Sequence, residues 1–234
     1  MTDRVARLAK LADLHDELAA FRYPPPYWDS HAAELKALRN KAEKNCRSCQ
    51  QAALRIMGIV EDEPEDEPDN FLITMENDYL TLAYTFHDLL VQKKLDGETC
   101  NVFCLKIKAD YKRYQAEFTE GDTKSQAVEN ARAAYAEATA AAEKDLIVTH
   151  SIRLDLALNC SVFQYDVLAN QDEAYKMARK ALEDAQAHAV HVASHRLPET
   201  TFKMQLLSDN LAVWASRPGG WRHAKMWNTM KTTT

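Results

Sequence analysis

Residues 149–168 read THSIRLDLALNCSVFQYDVL. A helical period runs through them from about 151 to 169, opened by Thr149-His150 and closed by Asn170. Outward from this stretch the pattern repeats. Toward the C-terminus, helical periods cover about 171–192 and 199–215, parted by Pro198. Toward the N-terminus they cover about 123–144, 99–119 and 70–94, parted by Gly121-Asp122 and Asp96-Gly97. From Asp29 to about Val60 no proline occurs, which predicts one helix of roughly thirty residues, far above the mean of about 11–12. Before it, Val5, Leu8, Leu11, Ala12 and Leu14 to Leu18 recur at helical spacing until Tyr23-Pro24-Pro25-Pro26, where consecutive prolines cannot continue a helix. With one or two short helices in this first stretch, the total is about nine helices. No fixed period links them, so a repeat solenoid is disfavoured despite the helical hairpins.

Composition agrees with an all-α chain. Among 234 residues there are only five glycines and seven prolines, too few to punctuate a fold of short strands, and 46% hydrophobic content suffices for a core. The formal charge of −6 is concentrated in residues 61–69, EDEPEDEPD, whose seven carboxylates and two prolines mark a solvated link. Without them, 29 basic side chains face 28 acidic ones. A near-neutral body with no basic stripe argues against a nucleic-acid partner. The N-terminal stretch lacks the apolar run of a signal peptide, and no later stretch is long enough to span a bilayer. Five cysteines, an odd number set inside helical patterns, suit reduced thiols and a cytoplasmic protein.

Three segments carry a resemblance. NVFCLKIKADYKRYQAEFTEGDTK (101–124), THSIRLDLALNCSVFQYDVL (149–168) and MQLLSDNLAVWAS (204–216) are similar, in order and spacing, to signature helices of the 14-3-3 family. The likeness covers about residues 100–216 and extends more weakly to residue 1. It implies a single helical domain over 1–216, a cup with an amphipathic groove. It also implies a non-enzymatic signalling adaptor that binds phosphoserine or phosphothreonine segments of client proteins, works as a homo- or hetero-dimer and needs no metal or cofactor.

Carried over by position, Lys44, Arg55, Arg113 and Tyr114 hold the phosphate, and Lys106 lies on the groove wall. Asn159 and Asn210 hydrogen-bond the ligand main chain, Asp166 belongs to the peptide-binding set, and Leu158, Val162, Leu206 and Val213 form the apolar wall with Trp214 beneath. The chemistry suits these residue types. A guanidinium fork and a phenol donor match a phosphate dianion, and an asparagine donates and accepts at once, so it can fix a peptide irrespective of its sequence. On spacing alone, the four wall residues read as ordinary core.

The sequence departs from the family pattern at Gln51, where the family has a second phosphate-binding arginine. A hydrogen bond to a charged group contributes about 1.5–3 kcal/mol, so phosphate binding should weaken roughly ten- to a hundred-fold. Arg47 and Arg55, one turn to either side, could lean toward the gap. Asp155 replaces a glycine and Lys203 an apolar residue. Asp155 should therefore disfavour a phosphopeptide unless a basic ligand residue answers it. Leu8 and Ala12 fit the family's dimer seam, while Leu14 stands where an arginine usually pairs across it.

Other features carry less. Cys46 and Cys49 are one pair inside a helix, without the second pair of a zinc site, and read as buried thiols. His188, His191 and His195 could share a helix face, but histidines near a helix C-terminus are more often solvated. Residues 217–234 form a basic, aromatic tail, with Trp221, Met226, Trp227 and Met230 available to dock on something apolar. Two rivals to the adaptor remain: a phosphate-independent structural subunit, and an enzyme on a helical bundle, for which no nucleophile, base or phosphate loop stands at a convincing spacing.

Overall fold

The computed structural model describes residues 2–20, 32–57, 70–92, 97–194 and 196–216. Among them every regular element is helical: α1 (Thr2–Ala20), α2 (Ala32–Ile56), α3 (Phe71–Gln92), α4 (Gly97–Phe118), α5 (Lys124–Asp145), α6 (Ser151–Val162), α7 (Gln171–His188) and α8 (Leu197–Ser216). These eight match the expected periods closely. The acidic link 61–69, the Tyr23–Pro26 break and the tail 217–234 lie outside the described residues. The chain divides into two compact units, Met1–Tyr114 and Gln115–Thr234.

In the first unit, α1 packs along α2 and touches α3. Its apolar stripe buries Leu8, Leu11 and Leu18 completely, and α2 offers Ala42, Cys49 and Ala52, small side chains that let the two backbones approach. Polar links fix the register. Arg39 Nε donates to the Ala19 carbonyl at 3.0 Å, satisfying an orphan acceptor in the last turn of α1. Lys41 Nζ and Asn45 Nδ2, both at 3.1 Å, donate to the two oxygens of Asp78 and tie α2 to α3.

In the second unit, α5 buries Ala131, Ala134, Tyr135, Ala138 and Ala142 along one face. Tyr135 meets Phe163 with ring centroids 5.2 Å apart. The His150 ring accepts from the Ile152 N–H and caps the start of α6, and Arg153 Nη1 donates to the Leu146 carbonyl at 2.6 Å. The expected helix over 151–169 is not uniform: after Val162 it widens into a π turn, Phe163–Val167. Ala169 then takes φ 52°, the left-handed residue that ends the element, and the Asn170 side chain accepts from the Glu173 N–H to start α7. The period expected over 171–192 also changes, ending as an α-helix at His188 and continuing as a 3₁₀ turn over 189–191.

Helices α6, α7 and α8 touch one another around a core of Leu154, Leu158, Tyr175, Leu182, Leu207 and Trp214. Three rungs join α6 and the turns at its two ends to α8. Thr200 Oγ1 donates to the Thr149 carbonyl at 3.0 Å, Lys203 Nζ to Asp155 Oδ1 at 2.7 Å, and Tyr165 stacks on Trp214 at 4.7 Å. Their sequence offsets are nearly constant, so α6 and α8 run parallel.

Candidate ligand-binding site

The charged candidates of the first unit lie on α2 and α4. Lys44, Gln51 and Arg55 are exposed on α2. Arg47, also exposed, pairs with Glu43 one turn earlier at 3.2 Å. On α4 the setting is different, because Arg113 and Tyr114 are only 9% and 4% exposed. The Tyr114 phenol donates to Glu76 Oε1, and Arg7 Nη2 donates to the same oxygen at 2.7 Å. Burial, then the bond to Glu76, pushes the Tyr114 hydroxyl far above the usual phenol range. A guanidinium and a phenol thus hold a carboxylate of the chain itself, the same donor chemistry expected for a phosphate.

Lys106 is 2% exposed. Its ammonium donates to Glu17 of α1 and to Asp110 one turn along α4, each at 2.8 Å. A buried ammonium is tolerable because two carboxylates answer it. Beside it runs an aromatic row. Tyr79 lies 5.5 Å from Tyr111, which lies 5.8 Å from Tyr114, both pairs near-parallel, while His15 meets Tyr79 edge-on at 5.5 Å. Sequence reading found Tyr114 and Lys106 but missed Arg7, Glu17, Glu76, Tyr79 and Tyr111. The hydrogen-bond partners of Arg7, Glu17 and Glu76 lie 38 to 89 residues away, and Tyr79 lies 32 residues from Tyr111, beyond any local spacing signal.

The uncharged candidates occupy the second unit. Asn159 and Asn210 are both half-buried. They lie on adjoining parallel helices, Asn210 two to three residues beyond the position that the Asp155–Lys203 and Tyr165–Trp214 rungs set opposite Asn159. Around them, Leu158 and Trp214 belong to the core, Val162 and Leu206 pack half-buried against it, and Val213 is 49% exposed. The wall therefore divides into two core residues, two bridging residues and one open one. Asp166 is exposed in the π turn. Lys203 and Asp155, two of the departures noted in sequence, are ion-paired with each other.

The remaining features are more ordinary. A cleft of about 390 Å³ among α5, α6 and α7 is lined by Val148, Leu154, Leu156 and Met177, and by none of the expected site residues. Cys46 and Cys49 are buried, and all five thiols are free. Burial pushes the Cys104 thiol up to about 12. His188 Nδ1 bonds to the Asp184 carbonyl at 2.8 Å, and His195 lies outside the described residues.

Comparison with known proteins places these features in a family. The family model for 14-3-3 protein matches residues 72–215, crossing both units. The chain is 34% identical over 227 residues to 14-3-3-like protein G-BOX factor 14 lambda of Arabidopsis thaliana, covering 91% of this chain and 92% of that protein. It is 33% identical, with the same coverage, to 14-3-3-like protein B of Glycine max. Its identity to the 14-3-3 family protein artA of Aspergillus flavus is 34% over 225 residues, covering 91% and 94%. With its signature helices, all-helical architecture and near-full-length likeness, the chain belongs to the 14-3-3 family.

Proposed function

We propose that the chain binds phosphoserine or phosphothreonine segments of client proteins, with a phosphate grip weakened at Gln51. Membership of the family supports the broader role, a client-binding adaptor rather than a catalyst. The observation that supports the finer reading is the placement of half-buried Asn159 and Asn210 on adjoining parallel helices, each able to hydrogen-bond an extended main chain. Leu206, Val162 and Val213 beside them offer apolar contact. Lys44, Arg55, Arg113 and Tyr114 are the residues proposed for the phosphate, and Lys106 for the groove wall. No helix among the described residues is long and apolar enough to cross a membrane. Action in the cytoplasm as a homo- or hetero-dimer is part of the same proposal.

One observation favours a second reading. Tyr114 already bonds Glu76, and Lys106 already bonds Glu17 and Asp110, so these two groups of α4 are answered by carboxylates of the chain itself. A structural subunit indifferent to phosphate would look the same. Calorimetry separates the two with one phosphoserine peptide and its unmodified twin. The adaptor binds the phosphorylated form selectively, and Gln51→Arg tightens it by roughly ten- to a hundred-fold. Equal affinity for both peptides, unmoved by Gln51→Arg, would leave the structural subunit standing.

A further inference from the structure

We infer that the Asp155–Lys203 ion pair sorts ligands on the α6–α8 face, favouring phosphopeptides that lay a hydrogen-bonding side chain across it over those that lay an aliphatic one. The inference rests on the phosphopeptide reading above and adds the class of residue that flanks the phosphate.

Position comes first. Asp155 precedes Asn159 by one helical turn, and Lys203 precedes Leu206 and Asn210 by three and seven residues, so each charge shares a face with a peptide-binding candidate. The parallel register then brings the two charges level, and Lys203 Nζ donates to Asp155 Oδ1 at 2.7 Å. The bond bridges the two helices at the end of the face where both begin.

Burial decides the chemistry. The Lys203 and Asp155 side chains are 23% and 18% exposed, mostly withdrawn from water but still open on one side. Their mutual charge answers the repulsion expected of Asp155 alone, so a phosphopeptide is not turned away, and the answering cation comes from the chain rather than from the ligand. An aliphatic ligand side chain pressed on this opening strips the remaining water from both charges and returns no hydrogen bond. A glutamine or serine replaces that water in kind. Phe202, exposed with its ring centroid 5.9 Å from Lys203 Nζ, gives the stem of such a side chain an apolar rest.

The test is fluorescence polarisation with phosphoserine peptides that differ at one flanking position, glutamine against leucine, scanned along both flanks. At one position the native chain should prefer glutamine by about tenfold, the worth of one well-made hydrogen bond. The double variant Asp155→Gly/Lys203→Leu should lose or invert that preference. Lys203→Leu alone, which removes the answering cation, should weaken every phosphopeptide, and Asp155→Asn should tighten them. The near-isosteric pair Asp155→Asn/Lys203→Gln guards against misfolding and should keep the glutamine preference. If native and double-variant chains sort glutamine and leucine alike, the inference falls while the phosphopeptide reading survives. If the native chain binds no phosphopeptide, both fall together.

Discussion

His15 is fully buried in the first unit, with Nε2–H donating to the Met75 carbonyl at 3.3 Å and Nδ1 lacking a hydrogen-bond partner among the described residues. Desolvation outweighs the Met75 carbonyl and Asp78 and holds its pKa down at about 4, against an ordinary value of 6.5. Between those values the unfolded chain takes a proton that the folded chain refuses. Stability is therefore intact above pH 6.5 and falls as pH drops toward 4, by about 3 kcal/mol from this residue alone. Urea unfolding of the native chain and of His15→Leu across that range should show the native chain losing about that much more, whereas parallel profiles would contradict it. Residues of this kind were invisible in sequence. His15 gains its role from the Met75 carbonyl of α3, and Glu76 from Arg7 of α1 and Tyr114 of α4, all tens of residues away, while Asn159 and Asn210 stood out as candidates because they sit in segments that resemble family signatures.

At the level of elements, helix spans followed from periodicity, as α5 at Lys124–Asp145 against an expected 123–144 illustrates. Periodicity did not reveal where α6 changes its winding. The π turn at Phe163–Val167 brings Tyr165 against Trp214, 49 residues later, and tertiary stacking of that kind leaves no mark on local spacing. It ends in Ala169 at φ 52°, a conformation costly to any residue with a Cβ and free to glycine. Ala169→Gly should stabilise the chain by about 0.5–1 kcal/mol in thermal unfolding. The same change at buried Ala178, within α7, should destabilise it by a similar amount. The Asp155–Lys203 rung was half legible: each residue stood out singly, and only the parallel register showed that they answer one another.

For the whole molecule, the open question is how a dimer arises. Leu8 and Ala12, which family resemblance assigns to the dimer seam, are already buried in their own unit, and Leu14 with them. A dimer that used Leu8 and Ala12 as its contacts would need α1 to part from its own α2 and α3 and enter a second copy, an exchange of identical elements. Sedimentation at micromolar concentration should then resolve monomer and dimer as separate boundaries that do not interconvert during the run. A single, rapidly averaging boundary would point to another interface. The same opening has a chemical consequence at Lys106, whose ammonium is 2% exposed and bonded to Glu17 of α1. That nitrogen is closed to an amine-reactive reagent while its burial and its bonds to Glu17 and Asp110 hold. The rate at which Lys106 becomes labelled thus reports how often the first unit opens around this buried pair, readable by mass spectrometry.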